Sequence, residues 1–217
     1  MSTIKIVLGD DHLVVRQGMH LLLNTVPDFE VVGEAADGHE LVELVEQFAP
    51  QVAITDISMP GMNGMEATRI IRRRFPATQV IILSMYSASS YVIGSLRYGA
   101  LGYLLKNDDY QEVVAAVYAV VAGKRYLSPQ VSEKVMDALL TGVEDHAQSL
   151  AHLTDREREV LQLFAEGNTS AQIGEKLGIS TRTAEKHRAN LRSKLDISSQ
   201  ADLMLFAIEQ GLVSVRD

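Results

Sequence analysis

Four short, nearly unbroken apolar runs mark the first half of the chain: Ile4–Leu8, Val52–Thr55, Val80–Leu83 and Leu101–Leu105. Runs of this length and continuity suit strands buried on both faces of a parallel sheet. A weaker run, Glu30–Glu34, has charged ends and suits a sheet edge. Between the runs the pattern changes to helical spacing. Leu13, Arg16, Gln17, Met19, His20 and Leu23 belong to a first helix, and Leu41, Leu44, Val45 and Phe48 line one face of a second. Asp109 followed by Glu112 has the form of an N-cap with its reciprocal partner, opening a helix through Ala122. Five strands alternating with five helices over about 120 residues predict a doubly wound α/β domain.

After Gly123 the pattern loosens. Ser128-Pro129 opens a helix carried by Val131, Val135, Met136, Leu139 and Leu140, and Thr141 to Ser149 reads as a flexible join. Helix-start signals then repeat. Thr154 with Glu157 forms a capping box ahead of Val160, Leu161 and Phe164, and Gly167 ends that helix. Thr169 with Gln172 opens the next, through Ile173 and Leu177, and Gly178 closes it. Ile179-Ser180 leads a third helix from Thr181 to about Leu195, and a fourth from Ser199 carries Leu203, Leu205, Phe206 and Ile208. Two short helices around a glycine turn, the second of them basic, predict a helix-turn-helix; the alternative is a small bundle with a solvated basic face.

In a doubly wound sheet, ligands bind beyond the carboxyl ends of the strands. Asp10 and Asp11 follow the first strand, Asp56 the third, Ser84 the fourth and Lys106 the fifth, so all fall at that one edge. Three converging carboxylates need a hard divalent cation, and Mg²⁺ is the natural choice because it takes oxygen ligands and keeps waters. Taken singly, Asp10 also suits a helix cap, Ser84 a strand-end turn and Tyr103 a half-buried sheet position.

Charge refines the picture. The 217 residues carry a net charge of −8, which at first argues against a nucleic-acid partner. Met1–Ser149 holds 11 Lys+Arg against 18 Asp+Glu, whereas Leu150–Asp217 holds 9 against 10. Arg182, Lys186, Arg188, Arg192 and Lys194 cluster with Glu185 as the one acid among them. Phosphate contact needs a local positive face, not a positive protein. Cysteine is absent, which excludes disulfides and thiolate metal sites and fits a reducing cytosol. His146, His152 and His187 lack ligand spacing. With no signal-peptide core and no run of the ~18 apolar residues a bilayer demands, the chain is expected to be cytoplasmic, without a membrane partner.

From Ile4 to about Gly123 the chain resembles the receiver domains of two-component response regulators. The resemblance rests on Asp10-Asp11, the segment Asp56-Ile57-Ser58-Met59-Pro60-Gly61-Met62-Asn63-Gly64, then Ser84, Tyr103 and Lys106, in family order. It implies a flavodoxin-like sheet of five parallel strands in the order 2-1-3-4-5. It further implies Asp56 as phosphoacceptor, and Mg²⁺ on Asp11, Asp56 and the Ser58 backbone carbonyl, with Asp10 acting through water. Lys106 and Ser84 are expected to hold the phosphoryl oxygens, and Tyr103 to rotate into space that Ser84 vacates. Two positions depart from the pattern: Asn107 follows Lys106 where many receivers carry proline, and Ser58 occupies a variable position.

From Leu153 to about Leu212 the chain is similar to LuxR-type DNA-binding domains, on Leu153 to Leu161, Ile173, Leu177, Ser180, Thr183, His187, Leu191 and Lys194-Leu195. That resemblance implies a four-helix domain whose Thr181–Lys194 helix enters the major groove. Arg182, Thr183, Glu185, Lys186, Arg188, Ala189, Arg192 and Lys194 are its candidate DNA contacts. Glu185 either accepts from cytosine N4 or repels phosphate. Leu203 and Phe206 are the candidate dimer surface on DNA; the alternative is that the apolar residues of this helix are wholly core. The expected organisation is a receiver at 1–123, a partly helical linker at 124–149 and a DNA-binding domain at 150–217, as in the NarL/FixJ group. The expected partners are a sensor histidine kinase, double-stranded DNA and a second copy of the chain when phosphorylated or on DNA. One alternative is a Mg²⁺-dependent phosphatase, but such enzymes usually carry a second Asp two residues beyond the nucleophile, where Ser58 stands here. Another is a phosphorylation-independent scaffold or a ligand-sensing LuxR regulator, against which the intact acidic set and the α/β pattern argue. No turnover of a separate substrate is expected.

Overall fold

The computed structural model describes residues 3–141, 153–195, 197, 199–209 and 212. The chain divides into two compact units, Met1–Val143 and Glu144–Asp217.

The first unit runs β1 (Ile4–Gly9), α1 (Leu13–Leu23), β2 (Phe29–Ala35), α2 (Gly38–Phe48), β3 (Val52–Thr55), α3 (Gly64–Arg74), β4 (Gln79–Ser84), α4 (Ser89–Arg97), β5 (Gly102–Leu105), α5 (Tyr110–Val121), β6 (Tyr126–Leu127) and α6 (Pro129–Thr141). The strands form one sheet in the order β2-β1-β3-β4-β5-β6, and every pairing is parallel. The first five strands follow the expected order. The sixth, a two-residue strand beside β5, departs from it.

The period-two alternation of the strands sorts their side chains into two layers. Val7, Ala53, Ile82, Tyr103 and Leu105 face one way, packing with Leu41, Val45, Met65, Ile71, Val92 and Val131 of α2, α3, α4 and α6. Ile6, Leu8, Ile54, Ile81, Leu83 and Leu104 face the other, against Leu23 of α1 and Val113, Val117 and Val120 of α5. Helix α6 is thus part of this unit. Val131 is fully buried, and the helix packs on α4 and β5, although the sequence predicts a partly helical linker at 124–149. The flexible join expected at Thr141 to Ser149 lies, from residue 142 on, outside the described residues.

Another expectation changes for a local reason. Asp109 caps α5 by accepting from Gln111 N, but the Glu112 carboxylate does not turn back as a capping partner. It accepts instead from the Tyr126 hydroxyl at 2.6 Å, which ties α5 to β6.

The second unit contains α7 (Asp155–Ala165), α8 (Ser170–Leu177), α9 (Thr181–Lys194) and α10 (Gln200–Glu209). Both predicted capping boxes form, Thr154 with Glu157 and Thr169 with Gln172. Gly178 ends α8 in the left-handed conformation at φ 64°. Gly174 allows the α8–α9 turn to close, because a Cβ there would lie 2.7 Å from the Ile179 carbonyl oxygen. Leu161, Phe164, Ile173, Ala184, Leu191, Leu203 and Ala207 form a separate core. Among the described residues, no helix is long and apolar enough to cross a membrane.

Candidate functional site

The carboxyl ends of β1, β3 and β5 bring Asp10, Asp56 and Lys106 together. Lys106 Nζ lies 2.7 Å from Asp10 Oδ2 and 2.7 Å from Asp56 Oδ2, bridging residues far apart in sequence. The other Asp56 oxygen accepts from Ile57 N at 2.7 Å, and Asp10 Oδ1 accepts from His12 N at 2.9 Å. Asp56 is only 5% exposed. Burial pushes its carboxyl up from the usual range despite the opposing Lys106 ammonium, and the neighbouring Asp10 charge adds to the rise. Burial works to lower the Lys106 pKa, but Asp56 and Asp10 outweigh it, so the ammonium form is reinforced.

Lys106 is aimed without a following proline. Its backbone N–H donates to the Ser84 carbonyl at 2.9 Å, and Asp108 Oδ2 accepts from Leu105 N at 2.7 Å. No peptide bond is cis among the described residues, so the one before Asn107 is trans. The loop after Asp56 is closed by Gly64 N donating to the Ile57 carbonyl at 2.9 Å. Gly64 sits so tightly that a Cβ would fall 1.8 Å from the Asp56 carbonyl oxygen. The glycine at the end of the Asp56 segment is therefore a steric requirement.

Asp10, Asp11, His12 and Asp56 each offer one donor atom, and these atoms all lie within 4.8 Å of one another. Three carboxylates against one ammonium leave a negative surplus, and hard oxygen donors fit a divalent cation such as Mg²⁺. Asp11 Oδ1 is buried and accepts no well-formed hydrogen bond, although His12 Nδ1 lies 2.8 Å away, so its chemistry fits a cation ligand. Ser58 is half-buried two residues beyond Asp56. The sequence reading did not include His12 in this cluster. The only signal for it is adjacency to the acidic pair, and the tight turn before α1 makes that adjacency spatial.

Ser84 is fully buried, and its hydroxyl accepts from Tyr86 N at 3.3 Å. Tyr103 is also fully buried, with its hydroxyl donating to the Tyr86 carbonyl at 2.6 Å. Burial raises the Tyr103 phenol well above its ordinary pKa. The ring is therefore already inward. Tyr86 stacks on Tyr91 of α4, with centroids 4.6 Å apart and planes 10° from parallel. Lys134 of α6 donates to the Ser87 hydroxyl in the same loop.

In the second unit, α9 sorts the candidate DNA contacts into two sets. Arg182, Glu185, Lys186 and Ala189 are exposed, and Thr183 is half-exposed and engaged with the Ser180 cap. Arg188 turns inward: Nη1 donates to Ser170 Oγ at 2.8 Å, and the guanidinium lies 4.4 Å from the Phe164 ring centroid. Burial lowers its pKa, with nearby Arg192 adding to the effect. Lys194 is bonded at 2.7 Å to the buried Glu157 carboxylate of α7. These two cations hold the helices together, a role that spacing along α9 does not reveal. Arg192 is half-buried and, with Arg188, Glu185, Ser170, Gln200 and Leu203, lines a cavity of about 240 Å³. Leu203 needs a correction. It is 1% exposed within the helical core, so it offers no dimer surface, and Phe206 packs partly against that core.

Comparison with known proteins places both units. Residues 6–118 match the model of the response regulator receiver domain, and residues 151–207 match that of the bacterial regulatory proteins of the luxR family. The transcriptional regulatory protein DegU of Brevibacillus brevis is 37% identical, over 99% of this chain and 97% of that protein. The oxygen regulatory protein NreC of Staphylococcus carnosus is 38% identical, over 96% of this chain and 99% of that protein. RcsB from Salmonella enterica serovar Typhimurium, solved bound to the promoter rprA in the presence of phosphomimetic BeF₃⁻, superposes with a TM-score of 0.63. It is 25% identical over 94% of this chain and 98% of that one. The chain belongs to the two-component response regulators that join a receiver domain to a LuxR-family DNA-binding domain.

Proposed function

We propose that Asp56 accepts a phosphoryl group from a partner histidine kinase, and that this controls binding of α9 to double-stranded DNA as a homodimer in the cytoplasm. The observation that carries the reading is the Lys106 ammonium, 2.7 Å from both Asp10 and Asp56 at the ligand edge of the sheet. An Asp56 oxygen attacks phosphorus, the bond from phosphorus to the kinase's histidine nitrogen breaks, and the electron pair leaves with the imidazole. Lys106 meets the charge on the transferring oxygens, and Ser84 receives one of them. Asp10, Asp11, Asp56 and the Ser58 carbonyl are the groups to hold Mg²⁺, which when bound supplies charge neutralisation and in-line alignment. The chain acts on its own aspartate and turns over no separate substrate.

RcsB has been seen on promoter DNA with a phosphomimetic, and carrying that behaviour to this chain supports the second half of the reading. A phosphoryl group adds roughly −1.5 to −2 charges at pH 7. That charge falls beside the Ser84–Ser87 segment, whose Tyr86 and Ser87 contact Tyr103, α4 and α6. The test is labelling with acetyl phosphate, followed by DNA binding. The wild-type chain gains one phosphoryl group and binds DNA more tightly, whereas Asp56→Asn does neither. Continued labelling of Asp56→Asn would sink the assignment.

A further inference from the structure

His12 places a nitrogen donor in a pocket otherwise made of oxygen, and so bears on which cation the pocket selects. The inference rests on reading Asp10, Asp11 and Asp56 as the cation site of the phosphoacceptor. Around an octahedral ion with ligands at about 2.1 Å, neighbouring donors stand about 3 Å apart and opposite donors about 4.2 Å apart. His12 Nδ1 lies 3.2 Å from Asp10 Oδ1 and 2.8 Å from Asp11 Oδ1, which are edges of that size. The whole set, Asp56 included, lies within 4.8 Å. Asp11 Oδ1 is buried yet accepts no hydrogen bond, so its closeness to Nδ1 is not that of a well-formed donor–acceptor pair. Nδ1 is within hydrogen-bond reach of Asp10 Oδ1, a contact that an ion between them would replace. His12 is the N-cap residue of α1, but its side chain makes no capping bond.

Mg²⁺ binds nitrogen poorly, whereas imidazole suits the divalent first-row transition ions. We propose that His12 is a direct ligand, and that it makes the phosphoacceptor pocket bind Mn²⁺ in preference to Mg²⁺. The ring side chain is 64% exposed at the mouth of the pocket, so an ion arriving from solvent reaches it without opening the fold. Lys106, bonded to the Oδ2 atoms of Asp10 and Asp56, is not part of the His12 contacts and remains available to the phosphoryl oxygens.

The experiment uses the full chain stripped of metal and loaded with Mn²⁺ or Mg²⁺ alone. Pulsed electron paramagnetic resonance of the Mn²⁺ form is expected to show coupling to a bound imidazole nitrogen, lost in His12→Ala. Calorimetric titration is expected to give a Mn²⁺ Kd weaker by on the order of tenfold in His12→Ala, with the Mg²⁺ Kd within about twofold of wild type. His12→Gln, which offers an oxygen of similar reach, is expected to show the same loss of preference while retaining the fold by circular dichroism. Bound Mn²⁺ without nitrogen coupling, or equal weakening of both ions, overturns the role of His12 and leaves the carboxylate site standing. Binding that survives the double change Asp11→Asn and Asp56→Asn overturns the site itself.

Discussion

Gly64 and Asp56 are eight positions apart, yet their backbones touch. Replacing Gly64 with alanine would drive a methyl group to 1.8 Å from the Asp56 carbonyl oxygen, where no flexible side chain can yield. Gly64→Ala is expected to lower Tm by several degrees and to slow acetyl-phosphate labelling, because the loop that orients Asp56 must reopen. Calorimetry and labelling on the same sample check both effects. On α9, single cations divide by environment. Lys186 is exposed and has no structural partner among the described contacts, so Lys186→Ala is expected to weaken DNA binding and reduce the salt slope by about one. Arg188→Ala is expected instead to destabilise the helical unit, since its guanidinium is engaged by Ser170 and Phe164. Anisotropy titrations over a range of salt separate the two. The acidic pair, Asp56, Ser84 and Lys106 were legible in the sequence because strand-end position alone sends them to one edge. His12 and the inward turns of Arg188 and Lys194 were not. The turns of Arg188 and Lys194 depend on the pitch at which helices meet, which no single helix records, whereas His12 depends on the local turn that brings it back onto Asp10 and Asp11.

Among the elements, α7 and α9 share a link that makes the second unit sensitive to acid. Burial works to raise the Glu157 carboxyl, but hydrogen bonds from Lys194 and Thr154 outweigh it and hold the pKa below the usual glutamate value. A carboxyl lowered by folding contributes stability that is full above its unfolded pKa of about 4.3. The contribution is lost as pH falls through the lower folded value. The Tm gap between wild type and Glu157→Gln is therefore expected to be largest near pH 7 and to narrow below about pH 4. A gap independent of pH would remove the link from the account. The capping boxes at Thr154 and Thr169 were legible because they are local in sequence. Strand β6 was not, since Tyr126 and Leu127 form no run and acquire strand geometry only by pairing with β5. Leu203 illustrates the reverse error: a helix rich in apolar residues offers several faces to a reader, and the core takes the one at Leu203.

For the whole molecule, charge is divided as function requires. Residues 1–149 carry a surplus of seven acids, and residues 150–217 a surplus of one. On the proposed function, the acidic half is expected to repel DNA phosphates and disfavour loose binding, which would leave affinity to the exposed face of α9 and to dimerisation. If phosphorylation acts by pairing two chains, it raises affinity for a duplex with two half-sites through effective concentration. The expected gain is at least about tenfold for two half-sites and less than about twofold for one. Equal gains on both duplexes would instead mean that phosphorylation alters α9 in a single chain.

Strand β6 is only two residues long, yet it blunts the open side of the sheet. Its backbone pairs with that of β5, with Tyr126 N donating to the Leu101 carbonyl at 2.8 Å and Ser128 N to the Tyr103 carbonyl at 3.2 Å. Helix α6 then folds back over the same side and buries Val131. A fragment ending at Gly123 loses both and leaves β5 with a row of unpaired backbone groups, the kind of template onto which other chains add. Such a fragment is expected to self-associate in sedimentation, whereas one ending at Val143 is not. A strand of two residues is thus expected to guard the chain against edge-to-edge association.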